Sequence, residues 1–153
     1  MALTVGKKAP DFELPDEEGR PVKLSQLEGR RVIVFFYPKA MTSGCTREAC
    51  DFRDHMAEFE QANVVVLGVS TDGLESHQHF AEKRKLPFPL LSDEDAAVSK
   101  LYGVYKQKNL YGKKYLGIER TTFIIDRTGR VAQIYPRVKV EGHVEDLLEF
   151  VKE

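Results

Sequence analysis

The chain has 153 residues, of which 42% are hydrophobic and 31% are charged, a composition typical of one globular domain. Its 23 basic and 24 acidic side chains nearly balance, which argues against nucleic acid or an anionic membrane as a partner. No apolar run approaches the roughly 20 residues that a bilayer-spanning helix needs, and the N-terminus lacks a signal-peptide pattern. We therefore expect a cytoplasmic protein in which residues 1–153 form a single domain.

The first predicted elements are short extended pieces near residues 12–14 and 22–24, which an acidic turn ending in glycine would join into a hairpin. A short capped turn is predicted at 25–28. The run at 31–37 is continuously apolar, β-branched and aromatic, which indicates a strand covered on both faces, and Pro38 ends it.

A helix is then predicted to begin between Thr42 and Cys45 and to end near Gln61, because apolar side chains recur along it at helical spacing. A second buried strand is predicted at 63–70 and a polar helix near 74–85.

The last part of the chain predicts a short helix near 96–102, a strand at 121–126 that turns into a hairpin with 130–135, and an amphipathic helix at 143–151. This order of elements predicts an α/β fold: a three-layer sandwich with a mixed central β-sheet, helices on both faces and an N-terminal β-hairpin. The order matches a thioredoxin-like fold, although it also fits several other α/β domains.

The chemistry of the chain centres on its two cysteines, Cys45 and Cys50. The thiolate is the reactive form of cysteine, and the free backbone N–H groups and dipole at a helix N-terminus favour an anion at Cys45. Thr42 stands three residues earlier and can aim its hydroxyl at the sulfur or at a ligand. Pro38 fixes the exit of the chain from the buried strand and can shield the pocket from water.

A fixed cation beside the sulfur would stabilise the thiolate further, and Arg120 is our candidate. It immediately precedes the 121–126 strand, which we expect to lie beside the 31–37 strand. Glu48 can orient the guanidinium of Arg120 through a bidentate pair.

The spacing of the two cysteines excludes a disulfide within an intact helix. Five helical residues separate their Cα atoms by roughly 8–9 Å, more than the limit of about 7 Å for a disulfide. Cys45 also shares a face with apolar side chains, whereas Cys50 shares one with more polar side chains. Disulfide formation therefore predicts local unwinding of the helix.

Three other interpretations compete with a reactive cysteine pair. The thiols can be inert and buried, or they can bind a metal with His55, although these residues are too widely spaced along one helix to converge on an ion. A dithiol exchanger or redox sensor is the third interpretation, but an exchanger would show C-x-x-C spacing.

We expect His77 and His79 to be solvated, and likewise the basic loop at 106–109.

The pattern Pro38-x-x-x-Thr42-x-x-Cys45 resembles the active-site signature of the peroxiredoxins, which are thiol peroxidases. The longer run 37–54 resembles their bacterioferritin-comigratory, or Q-type, branch. The segment 117–126 is similar to the family segment that supplies the active-site arginine. Together with the opening segment, the resemblance extends from about residue 5 to the C-terminus.

This resemblance implies a thioredoxin-like fold and the reduction of hydrogen peroxide or organic hydroperoxides. It implies that Cys45 attacks the peroxide and becomes a sulfenic acid, and that Cys50 then forms an intramolecular disulfide with it, which thioredoxin or a similar dithiol protein reduces. The residues implied to form the pocket are Pro38, Thr42 and Arg120, with support from Glu48.

No metal or organic cofactor is implied, and members of the branch are often monomers, so we expect a monomer. One departure from the family pattern is Ser43, where proline is common. Serine can still cap the helix, so we expect a modest change in loop rigidity and no loss of chemistry. The alternative function on the same fold is a dithiol–disulfide exchanger or a redox-sensing binding protein.

Overall fold

The computed structural model describes residues 3–152. Its elements are, in chain order, β1 (Glu13–Pro15), β2 (Pro21–Lys23), a 3₁₀ helix (Leu24–Leu27), β3 (Arg31–Phe36), α1 (Ser43–Asp54), α2 (Met56–Gln61), β4 (Val64–Ser70), α3 (Leu74–Arg84), β5 (Leu90–Ser92), α4 (Ala97–Leu101), β6 (Tyr105–Leu110), β7 (Lys113–Ile118), β8 (Thr121–Ile125), β9 (Val131–Tyr135) and α5 (His143–Lys152).

Five of the strands form the central sheet, in the order β5-β4-β3-β8-β9. Strands β3, β4 and β5 are parallel, whereas β8 runs antiparallel to β3 and to β9, so the sheet is mixed as predicted. Phe36 at the end of β3 lies opposite Thr121 at the start of β8. This register places Arg120 at the same edge of the sheet as the loop that follows β3, which confirms the predicted neighbourhood.

The core lies on both faces of this sheet because successive strand residues point to opposite sides. Phe35 packs on the face covered by α1, α2, α3 and α5, where its ring stacks on Phe52 with centroids 4.4 Å apart. Phe36 packs on the other face with Tyr102 and Phe123. Gly68 in β4 allows this packing, since a Cβ there would lie 2.8 Å from the Phe35 ring. The predicted three-layer sandwich is confirmed.

The predicted helix from 42–45 to Gln61 is two helices, α1 and α2, which meet at His55. The φ of His55 is −112°, outside the helical range. Its ring Nδ1 lies 2.9 Å from the carbonyl oxygen of Asp51, the acceptor that the His55 N–H would use in a continuous helix. The side chain therefore competes with the backbone and ends α1.

Three strands were not predicted. β5 is only three residues long and follows two prolines, so its signal was too short to separate from a loop. Strands β6 and β7 form an antiparallel hairpin whose residues are mostly exposed, which explains why no apolar alternation marked them. The basic segment 106–109 therefore belongs to a strand, although most of its side chains are solvated as expected.

The N-terminal hairpin of β1 and β2 and the antiparallel pair of β8 and β9 agree with the prediction. Across residues 3–152, no helix combines the length and the apolar composition that crossing a bilayer demands.

Candidate active site

Cys45 lies in the first turn of α1, where the sequence places it. Thr42 has extended backbone angles and is the N-cap residue, so the first turn leaves backbone N–H groups of residues 43–45 without helical acceptors. The Cys45 side chain is only 2% exposed and belongs to the core on the helical face of the sheet. The sulfur therefore combines burial with the positive end of a helix dipole.

Arg120 connects the start of β8 to this helix. Its Nη2 donates to the Cys45 Sγ over 3.2 Å, and its Nη1 donates to the Glu48 Oε1 over 2.6 Å. The predicted bidentate pair is wrong in detail: Glu48 uses one oxygen, and its Oε2 is buried without a hydrogen-bond partner among residues 3–152. Because the two bonds use different nitrogens, Arg120 bridges the sulfur and the carboxylate.

Burial controls the electrostatics of this bridge. Desolvation raises the pKa of Glu48 to about 7, although the guanidinium of Arg120 opposes part of the rise. For Arg120, burial lowers the pKa, but attraction to Glu48 and Cys45 outweighs it and the net pKa is raised. Arg120 is thus a permanent cation, and its hydrogen bond to the Cys45 Sγ is charge-assisted.

Gly44 leaves space for the contact between Arg120 and Cys45, and the sequence analysis did not single it out. A Cβ at this position would lie 3.2 Å from the Arg120 Nη2, closer than most Cβ contacts. A glycine directly before the cysteine, in the first turn of a helix where glycine is unfavourable, was the signal available in the sequence. Because Gly44 has no side chain, the guanidinium of Arg120 has room beside the helix.

The loop between β3 and α1 carries Pro38 and Thr42. The Thr42 hydroxyl donates to the carbonyl oxygen of Lys39 over 2.8 Å, so in this state it closes the loop and is not bonded to the sulfur. Met41 has a φ of 69°, a left-handed conformation that costs a non-glycine residue about 1–2 kcal/mol. The predicted capping role of Ser43 is wrong, because Thr42 is the N-cap and Ser43 the first helical residue.

Cys50 lies farther along α1 and is half-buried. Both cysteines are free thiols, and the helix between them is continuous. With about 1.5 Å of rise per residue, the two Cα atoms are separated by roughly 7.5 Å along the axis alone. The predicted separation of the two sulfurs on one intact helix is confirmed in this reduced form.

Three further residues near the site were missed or misjudged. Lys108 on β6 interacts electrostatically with Arg120 and Cys45, and burial together with Arg120 lowers its pKa. Asp72 accepts a hydrogen bond from the backbone N–H of Ala40 over 2.7 Å.

The expectation of a solvated His77 is wrong: its side chain is fully buried, and burial lowers its pKa to about 4. His77 makes its contacts with other polar side chains, which a helical pattern does not reveal.

Comparison with known proteins agrees with this geometry. Residues 5–134 match the model of the AhpC/TSA family. The chain is 52% identical over 148 residues to a putative peroxiredoxin bcp from Coxiella burnetii, covering 97% of this chain and 98% of that protein. It is 46% identical over 153 residues to peroxiredoxin Bcp of Bacillus subtilis, covering 100% and 98% respectively.

Solved structures give the same result. A cysteine-to-serine mutant of PrxQ from Xylella fastidiosa superposes with a TM-score of 0.94 at 35% identity, covering 99% of this chain and 97% of that one. The bacterioferritin comigratory protein of Xanthomonas campestris superposes with a TM-score of 0.91 at 38% identity, covering 97% and 98%. Sequence, fold and the Cys45–Arg120 contact agree, and the chain belongs to the AhpC/TSA family as a Bcp, or Q-type, peroxiredoxin.

Proposed function

We propose that this thiol peroxidase works by a two-cysteine cycle, with Cys45 as the residue that attacks the peroxide and Cys50 as the residue that resolves the product. The observation that carries the proposal is the 3.2 Å contact between Arg120 Nη2 and the Cys45 Sγ at the start of α1. A buried sulfur that faces a permanent cation and a helix N-terminus is favoured as a thiolate, the nucleophilic form.

In the first step, the Cys45 thiolate attacks the terminal oxygen of the peroxide and the O–O bond breaks. The sulfur is oxidised to a sulfenic acid, while the peroxide is reduced to an alkoxide or hydroxide that takes up a proton. The guanidinium of Arg120 and the N–H groups of the first turn are placed to stabilise negative charge on the oxygens. Thr42 and Pro38 complete the pocket, and Glu48 holds Arg120 in place.

In the second step, the Cys50 thiol condenses with the sulfenic acid, which forms a disulfide and releases water. The intact α1 keeps the sulfurs apart, so part of the helix must unwind. The break at His55 separates α1 from α2, and unwinding of α1 can therefore stop before α2. A dithiol protein such as thioredoxin then supplies two electrons by thiol–disulfide exchange.

The substrates we propose are hydrogen peroxide and organic hydroperoxides. The work on the related Xanthomonas campestris protein concerns alkyl peroxide reduction, which supports the organic class. We further infer a cytoplasmic monomer with one domain over residues 1–153 and no metal or organic cofactor. Both core clusters pack on the same five-stranded sheet, which supports the single domain.

The test is stopped-flow reaction of the reduced protein with hydrogen peroxide and with cumene hydroperoxide, followed by turnover with thioredoxin and its reductase. We expect second-order rates far above that of free cysteine, and sustained peroxide consumption when the reductant is present. Rates no faster than free cysteine would overturn the proposed role of Cys45 and leave dithiol exchange or redox sensing. Fast single turnover without thioredoxin-supported cycling would overturn only the proposed reductant.

A further inference from the structure

A group of buried polar side chains adjoins the active-site loop, and the reaction scheme makes no use of it. It consists of Tyr37, the last residue before Pro38, with Ser70 at the end of β4, Asp72 just after it, His77 on α3 and Ser92 at the end of β5. Tyr37, Ser70, His77 and Ser92 are at most 4% exposed. We call these five residues the Asp72 network.

The hydrogen bonds of the network connect the His77 ring, through Ser70, to one carboxylate oxygen of Asp72. Asp72 Oδ2 accepts the Ser70 hydroxyl over 2.6 Å and the backbone N–H of Ala40 over 2.7 Å. Ser70 Oγ in turn lies 2.8 Å from His77 Nε2, which is also 2.7 Å from the Tyr37 hydroxyl. The other ring nitrogen of His77 lies 2.9 Å from Ser92 Oγ. The oxygen that Ser70 orients from the protein interior is therefore the same one that binds the loop.

The loop needs such a support at this position. Ala40 is followed by Met41, whose φ of 69° is unfavourable for a non-glycine residue. Strained backbone persists only where the surroundings hold it. The next residue, Thr42, is the N-cap of the helix that carries Cys45, so a shift at Ala40 moves Thr42, Pro38 and the mouth of the pocket together.

The network keeps one charge state at neutral pH. Burial lowers the pKa of His77 to about 4, and burial also raises the pKa of Tyr37 well above its ordinary value. Both groups are therefore neutral, and they orient the Asp72 side chain through hydrogen bonds.

We propose that Asp72 is a positioning residue for the peroxide reaction: its carboxylate, oriented by Ser70, Tyr37 and His77, holds Ala40 so that Pro38 and Thr42 line the pocket around Cys45. Asp72 touches neither the sulfur nor the peroxide and acts only through the loop backbone. The inference rests on the proposed role of Cys45.

The experiment compares Asp72→Ala and Asp72→Asn with a matched control, Ser76→Ala. Asparagine retains an oxygen that accepts from both Ala40 N–H and the Ser70 hydroxyl. The Ser76 hydroxyl lies 3.5 Å from the opposite oxygen, Asp72 Oδ1, away from the loop. Two rates are measured for each folded protein: oxidation of Cys45 by hydrogen peroxide and its alkylation by iodoacetamide, which needs a thiolate but no pocket for an O–O bond.

We expect Asp72→Ala to slow oxidation about 10- to 100-fold, as small misplacements of reacting groups do, while alkylation changes less than about twofold. Asp72→Asn is expected to restore oxidation to within about threefold of the wild type, and Ser76→Ala to leave both rates unchanged. Equal oxidation rates for wild type and folded Asp72→Ala overturn the inference. The inference is also overturned if Asp72→Ala slows oxidation and alkylation equally, or if Asp72→Asn fails to restore the oxidation rate.

If Asp72→Ala does not fold, Ser70→Ala decides, since it removes the hydroxyl that orients the carboxylate. It should slow oxidation several-fold and leave alkylation unchanged, and wild-type oxidation in this variant overturns the inference. The oxidation rate of the wild type separates the two proposals. Slow oxidation of the wild type contradicts the role of Cys45. Fast oxidation of the wild type and equally fast oxidation of every variant contradict only the role of Asp72.

Discussion

Cys45 and Cys50 lie on the same helix, but the two sulfurs differ in burial, in position along the helix and in their contacts. Cys45 is buried in the first turn, with the guanidinium of Arg120 3.2 Å from its sulfur. Cys50 is half-buried beyond that turn and interacts electrostatically with Arg53, which forms an ion pair with Asp54. One sulfur accepts a hydrogen bond from a cation at a helix N-terminus, while the other lies farther along the helix and is partly exposed.

Position along the helix and a distant strand together create the difference between the two sulfurs. The dipole at the N-terminus of α1 acts mainly on its first turn, which contains Cys45 and excludes Cys50. Arg120 reaches Cys45 only because β8 pairs with β3. Two chemically identical side chains five residues apart thereby have different surroundings, which supports the separate tasks of attack and resolution that we propose for them.

The largest expected effect comes from removing each sulfur in turn. Cys45→Ser should abolish peroxide consumption, because no nucleophile remains in the pocket. Cys50→Ser should react once and stop with thioredoxin as reductant, leaving a sulfenic acid that dimedone traps and mass spectrometry detects. Identical behaviour of the two variants would remove the distinction between the sulfurs.

Arg120 provides the next largest effect. Arg120→Met should slow oxidation of Cys45 about 100-fold or more, the usual cost of losing a donor that stabilises developing charge. Arg120→Lys should recover part of the rate, since it keeps the charge but cannot bridge Sγ and Glu48. Stopped-flow oxidation measures the rate of each variant. The control is Arg53→Met, which removes a cation from α1, the helix that carries Cys45, and for which we expect no change. A similar loss in both methionine variants would contradict a specific contact.

The helix between the two sulfurs can be followed by amide hydrogen exchange. In the reduced protein, residues 42–53 should be protected because α1 is continuous. In the disulfide form, this segment should exchange at least about tenfold faster, since closing the bond requires unwinding. Residues 64–70 of β4 are the internal control and should be equally protected in both forms. Equal protection of residues 42–53 would show that the sulfurs meet without opening the helix.

The smallest expected effect concerns the buried carboxylate that holds Arg120. The pKa of Glu48 is raised by burial from 4.5 to about 7, so between these values the folded protein retains a proton that the unfolded chain has released. Its contribution to stability is therefore fully present below about pH 4.5 and is lost as the pH rises through 7, by on the order of 1–3 kcal/mol.

Urea unfolding of wild type and Glu48→Gln from pH 4.5 to 7.5 measures this loss, because the glutamine variant lacks it. Burial also lowers the pKa values of His77 and His143 to about 4, so their contribution to the free energy of unfolding decreases as the pH falls below 6.5. Both histidines are present in both proteins, so this contribution cancels in the difference between them. The variant should gain stability relative to the wild type as the pH rises. Parallel pH profiles would contradict the raised pKa of Glu48.

The site was predictable wherever a residue's role follows from its place in a local motif. Cys45, Cys50 and Thr42 lie on or beside one predicted helix, and strong strand patterns placed Arg120 at the edge of the neighbouring strand. The single Glu48 contact and the burial of His77 were not predictable, because each depends on side chains brought together from separate elements. The break at His55 is local, but it depends on a contact between its ring and a backbone carbonyl that apolar spacing does not reveal. His77, for example, meets Tyr37 and Ser70 across 40 and seven positions of sequence.

The sequence by itself determined the order of the main elements, the first-turn position of Cys45 and the separation of the two cysteines, since helical spacing and continuous apolar runs are local properties. Only the tertiary structure decided that Arg120 touches Cys45, that Gly44 leaves room for the contact and that Asp72 holds the loop. These contacts come from sheet pairing between distant strands, and their distances are set by packing, which no local pattern encodes.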